Sequence, residues 1–201
     1  AQGLLALGSK LGPFLWQFPE RMRFDAARME AFLELLPADT EAAARLARRR
    51  DASRLKGRAV LTPREHGPLR HAFEVRHESF VDPLFVDMLR ARGMALVVAD
   101  TAGRWPWVEE VTGDFMYLRL HGDAELYVSG YGDAALADWA RRIRAWQRGG
   151  QPRGVVLGQG ERARPINSGT ATAGTDFTGL PVTVTIPDGQ TTATGTIPVT
   201  N

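Results

Sequence analysis

His71-Ala-Phe-Glu-Val-Arg-His-Glu-Ser-Phe80 is the stretch on which the fold turns. Its core, Ala72 to Val75, predicts a short buried strand. Side chains alternate faces along a strand, so Glu74 and Arg76 project to one side and Phe73 and Val75 to the other. A carboxylate beside a guanidinium at a strand's C-terminal end is costly to bury unless each meets a partner. Two readings follow from that cost: an ion pair at the rim of a barrel, or a binding site.

The segments on either side repeat one pattern. Before the stretch, Phe14-Leu-Trp-Gln-Phe18 reads as a buried strand closed by Pro19, preceded by the end of an amphipathic helix at Leu4, Leu5 and Leu7. Asp25 is placed to cap a helix with the apolar stripe Met29, Phe32, Leu33 and Leu36, and Thr40 opens a second helical stretch over Glu41 to Arg50. After it comes a helix from Pro83 to Arg92, ended by Gly93. Ala95-Leu-Val-Val-Ala99 is a continuous apolar run, the signature of a parallel strand covered on both faces, and it ends at Asp100. Phe115 to His121 alternates, with Tyr117, Arg119 and His121 on one face. Asp133 then caps a helix through Trp146 with the stripe Leu136, Trp139, Ile143 and Trp146. Strands and helices at these spacings argue for βα units on a parallel sheet.

Composition limits the chemistry and divides the chain. With no cysteine, disulfides and thiolate metal sites are excluded. All 25 Lys and Arg residues lie at or before Arg164, against 21 acids there; Pro165 to Asn201 holds only Asp176 and Asp188 as charges. Eleven of the 36 residues from Ile166 to Asn201 are Thr, and Val182-Thr-Val-Thr-Ile186 and Thr194 to Val199 alternate around an Asp188-Gly189 turn, a pattern of β-hairpins. No apolar run is long enough to cross a membrane, and the opening residues lack the basic start of a signal peptide. The first part reads as cytoplasmic. Arg45, Arg48, Arg49, Arg50, Arg54, Lys56 and Arg58 form the most basic segment. It reads as a solvated helix and loop or, alternatively, as a nucleic-acid contact, against which stands the lack of interleaved aromatic residues.

Leu11-Gly-Pro-Phe-Leu-Trp-Gln-Phe-Pro19, His71-Ala-Phe-Glu-Val-Arg-His77, Val97-Val-Ala-Asp100 and Tyr117-Leu-Arg-Leu-His-Gly122 followed by Glu125-Leu-Tyr127 resemble, in order, the YecE-like family, known as domain of unknown function 72. The resemblance runs from Ala1 to about Gly150. It implies a TIM-barrel-like (β/α) fold with no established activity and no known cofactor. The family's opening Gly-Thr-Ser-Gly-Trp-like strand, two further βα units and its closing strand have no counterpart here, and a whole barrel needs about 250 residues. The expected fold class is therefore α/β: an incomplete TIM-barrel-like domain over residues 1–153, a junction over 154–166, and a short all-β segment over 167–201. That last segment resembles part of a Calx-beta repeat, a sandwich-type module of extracellular arrays that sometimes binds calcium. Two carboxylates are too few for a calcium site. The pairing of the two parts suggests a fusion, a misjoined frame or an artificial chain.

In a parallel β/α barrel, functional groups gather at the C-terminal strand ends. Three successive strands here end in Glu74 and Arg76, in Asp100, and in Arg119 and His121, with Gln17 near the end of the first. Paired arginines suit a phosphate or carboxylate, which guanidinium grips in bidentate fashion. Glu74, Asp100 and His121 are the expected catalytic groups, with His121 as general acid or base; Gln17, Arg76, Arg119 and Tyr127 are the expected ligand contacts. The three catalytic candidates also offer O and N ligands to a divalent metal, but arginines among them would repel a cation. The expected ligand is a small anion and no metal is expected, with a non-catalytic binding protein as the alternative.

Overall fold

The computed structural model describes residues 3–50, 61–122 and 130–150. The chain divides into two units, Ala1–Ile166 and Asn167–Asn201, and every described residue lies in the first. The Thr-rich tail, the strand candidate Val155 to Leu157 and the basic positions Arg54, Lys56 and Arg58 fall outside the described residues.

Four short parallel strands, β1 (Phe14–Gln17), β2 (His71–Glu74), β3 (Ala95–Asp100) and β4 (Tyr117–Leu120), pair in the order of the sequence. Helices α1 (Ala26–Glu34), α2 (Thr40–Arg48), α3 (Pro83–Arg90) and α4 (Asp133–Gln147) lie between and after them. The mixed α/β architecture is that of an incomplete barrel, and the strand alternation sorts residues to its two faces. Phe73, Val75 and Leu96 pack with Met29 and Leu33 of α1 and Phe85, Val86 and Leu89 of α3. Val98, Met116 and Leu118 pack with Trp139, Ile143 and Trp146 of α4. The opposite face carries Leu15, Ala72, Ala95, Val97, Ala99, Phe115 and Tyr117. Three alanines at its centre leave room for long polar side chains from the strand ends.

That second face is concave. Arg119 on one edge strand donates from Nη1 to Oε1 of Gln17 on the other edge at 2.8 Å. Across a flat sheet those edges stand about 14 Å apart, three strand spacings, with side chains roughly perpendicular to the sheet. They meet because the sheet curls around them.

The helix ends depart from the expected capping at three points: α3 stops at Arg90 with Ala91 as its C-cap, short of Arg92 and Gly93, and α2 and α4 are each capped one residue earlier than expected. Asp25 accepts from the Arg28 N–H at 2.8 Å, and Asp82 from the Leu84 N–H at 2.8 Å ahead of Pro83. Helix α2 is capped by Asp39, which accepts from the Ala42 N–H at 2.6 Å. Thr40 is its first helical residue and ties the helix to Gly67, accepting from that N–H at 3.2 Å. Asp133 is likewise inside α4 and the cap is Gly132; a carboxylate in the first turn acts on the helix dipole instead. Leu136, expected on the buried stripe, is 49% exposed, because the apolar cluster beneath α4 stops at Trp139. At the N-terminus Gly8, at φ 56°, breaks Leu4–Lys10 into a kinked 3-10 stretch in place of an amphipathic helix.

Candidate functional site

The C-terminal ends of the strands bring together most of the expected residues. Glu74, the last residue of β2, is wholly buried and takes a guanidinium on each oxygen. Arg76 Nε donates to Oε1 at 2.9 Å, and Arg119 Nη1 donates to Oε2. The same Arg119 nitrogen reaches Gln17. One carboxylate thus orients two arginines, and both guanidiniums remain partly open to solvent, with 16% and 25% of their side chains exposed. The cluster Glu74, Arg76 and Arg119 carries a net charge of +1.

His121 follows β4 directly, and its backbone N–H donates to the Asp100 carbonyl at 2.9 Å, extending the sheet by one residue. Burial and then the Arg119 guanidinium push its imidazole below the ordinary histidine range; Arg76 adds to this, while Glu74 and Asp100 oppose it. His121 is accordingly neutral at pH 7 and fit to accept a proton. The sign for stability follows. The unfolded chain takes up this proton near pH 6.5 and the folded chain only at lower pH. The stabilising contribution is therefore present above about 6.5 and lost as pH falls through the folded value. An NMR titration of the His121 Cε1–H should give a midpoint below about 6.5 in the wild type and a higher one in Arg119→Ala. A wild-type midpoint above about 7 would remove the neutral base.

Asp100 stands apart. Its carboxylate accepts from the Trp139 indole N–H of α4 at 3.2 Å, on the helix side of the sheet. It acts on His121 through its field, not by facing into the concave side. Among the described residues, no three or more His, Cys, Asp or Glu side chains are grouped so as to hold a metal ion. Tyr127 lies outside the described residues. His77 caps the short helix Glu78–Phe80, its Nδ1 accepting from the Ser79 N–H at 3.0 Å. His71 is enclosed below the site, with Nδ1 accepting from Trp16 Nε1 at 3.1 Å and Nε2 at 2.9 Å from the Pro37 carbonyl. Its Nε2 therefore carries the hydrogen. In the basic segment Arg45, Arg48 and Arg49 are exposed and Arg45 lies 3.9 Å from Glu41, as expected of a solvated helix face.

Trp105 lies against the cluster. The Trp105 ring lies under the Arg76 guanidinium, with Cζ 3.6 Å from its centroid, and its indole N–H donates to Glu20 at 2.7 Å. Glu109 and Glu110 are both buried and are held by Arg142 and Arg90.

Over residues 1–168 the sequence matches the family described as protein of unknown function DUF72. The chain belongs to the DUF72 family. The match continues past Gly150, where the motif resemblance was expected to end. Two solved DUF72 structures are similar. One, from Thermotoga maritima MSB8, is 22% identical and superposes with a TM-score of 0.46 over 70% of this chain and 48% of its own. The other, from Enterococcus faecalis V583, is 19% identical with a TM-score of 0.43 over 67% and 49%. The chain spans about half the length of these DUF72 proteins. No curated protein matches it. No helix among the described residues is long and apolar enough to cross a membrane.

Proposed function

We propose that this DUF72 protein binds a small ligand through a phosphate or carboxylate group at the strand-end cluster, in an enzyme-like (β/α) site. Arg76 and Arg119 hold the anion, Glu74 orients both guanidiniums, Gln17 steadies Arg119, and neutral His121 exchanges a proton with the ligand. The observation that carries this reading is the convergence of two partly open guanidiniums on one fully buried carboxylate. A rim ion pair needs one cation for one anion. The second arginine leaves a surplus positive charge facing a concave, alanine-lined surface, which an anion would neutralise. Any reaction would be a proton-transfer or hydrolytic step with His121 as the group that moves the proton. For residues 167–201, the alternation around Asp188-Gly189 supports an all-β, Calx-beta-like segment.

Titration calorimetry with inorganic phosphate and with acetate tests the site. Arg119→Ala is expected to weaken binding by about 10- to 100-fold, the loss of one or two charge-assisted hydrogen bonds. Equal affinity in the wild type, Arg119→Ala and Arg76→Ala would sink the proposal.

A further inference from the structure

Past β3 the chain folds back over the strand ends through an unusual turn. Ala102, at φ 50°, and Gly103, at φ 76°, are consecutive left-handed positions, closed by the Arg104 N–H donating to the Thr101 carbonyl at 3.1 Å. Glycine accepts such a conformation readily, but alanine does so only where the surroundings impose it. Here the imposing contacts are visible. The Trp105 N–H donates to Thr101 Oγ1 at 3.1 Å, on a residue 1% exposed. The Trp105 indole N–H donates to Glu20 Oε1 at 2.7 Å, and Arg104 Nη2 lies 3.5 Å from the same oxygen. Glu20 comes from the segment after β1, so the loops following β1 and β3 are tied together at this indole.

The turn delivers the Trp105 ring to the face of Arg76. A guanidinium stacked on an indole engages the ring through its flat face and keeps its in-plane N–H donors. One of those donors, Nε, is already fixed on Glu74 at 2.9 Å. A stacked face and an anchored Nε together define both the plane and the rotation of the group, directing the Nη1 and Nη2 edge to one orientation.

We propose that Trp105 is a positioning residue for Arg76, held in place by Glu20, and that it sets the guanidinium edge for bidentate, coplanar capture of the ligand's acid group. This rests on the anion-site reading above. The ligand class it selects is an oxyanion with two acceptor oxygens at carboxylate or phosphate spacing.

The test combines phosphate and acetate titrations with the Arg76 Nε–Hε signal in 1H–15N NMR. In the wild type that hydrogen should exchange slowly and carry the ring-current shift of the indole. Trp105→Ala is expected to remove both features and weaken phosphate binding about tenfold, while Trp105→Phe, which keeps a ring face, stays within about threefold. Glu20→Ala removes only an exposed acceptor and threatens the fold least. It should move the same signal and affinity in the same direction, by less. Unchanged phosphate binding and an unchanged Arg76 signal in Trp105→Ala and Glu20→Ala would overturn the role of Trp105 alone. A wild type that binds neither phosphate nor acetate would overturn the anion site and this role with it.

Discussion

Glu74→Ala is expected to lower the unfolding free energy by about 3 kcal/mol, near the bottom of the range for removing one partner of a buried ion pair. Urea denaturation measures it. The carboxylate is fully enclosed, so its own removal relieves a desolvation cost. What remains is worse: two guanidiniums in a concave space with no counter-charge between them. Their partial exposure lets water take up some of that cost, which is why the low end applies. Glu74→Gln keeps the shape and one acceptor oxygen and should lose less. A sharper comparison replaces all three charges at once, as Glu74→Met with Arg76→Met and Arg119→Met. Such apolar replacements of whole buried networks are often neutral or stabilising. If the triple variant folds as well as the wild type yet binds no phosphate, the network is retained for binding and not for stability. If the triple variant is as unstable as Glu74→Ala, the charges are part of the scaffold and the case for a site weakens.

How far residues reveal their surroundings depends on whether the local pattern carries a phase. In β2 it does. Phe73 and Val75 alternate with Glu74, and the structure sends the first two to the helices and the third to the concave face, as the alternation requires. In β3 the phase is hidden, because all six residues of Ala95–Asp100 are buried and a strand covered on both sides needs no alternation. Counting back from Asp100 shows it in step with Val98 and Leu96, on the helix side, where Trp139 meets it. The sequence expectation that all three strands point their polar ends into one site missed that parity. The stack of Trp105 on Arg76 was hidden for another reason. It depends on a left-handed Ala102, which no residue preference announces. Likewise, Glu109 and Arg142 lie 33 residues apart, and Glu110 and Arg90 lie 20 apart, too far for local spacing to pair them. Capping was more legible at the start of α1, because Asp25 satisfies a donor three residues on.

The scaffold beneath Arg76 makes the second large prediction. Phe80→Ala is expected to cost about 3–5 kcal/mol, the range for emptying a buried phenyl site, again read by urea denaturation. Phe80 is 0% exposed, and its ring centroid stands 5.0 Å from that of Phe85, 5.5 Å from Phe24 and 5.6 Å from Phe18. Those partners come from α3 and from the segment after β1, so one side chain joins three parts of the chain. The ring also closes the loop that carries Arg76. Between them, His77 accepts from the Ser79 N–H, and the Ser79 hydroxyl accepts from the Phe24 N–H at 2.8 Å. Emptying the Phe80 site should therefore loosen that loop as well as the core, speeding exchange of the Arg76 Nε–H. Met29→Ala makes the control. Met29 is 1% exposed in the same apolar cluster but lies on α1, away from this loop. It should cost a comparable 2–5 kcal/mol while leaving the Arg76 signal in place. Equal loosening of Arg76 by both variants would mean that the loop follows global stability and that Phe80 has no special hold on it.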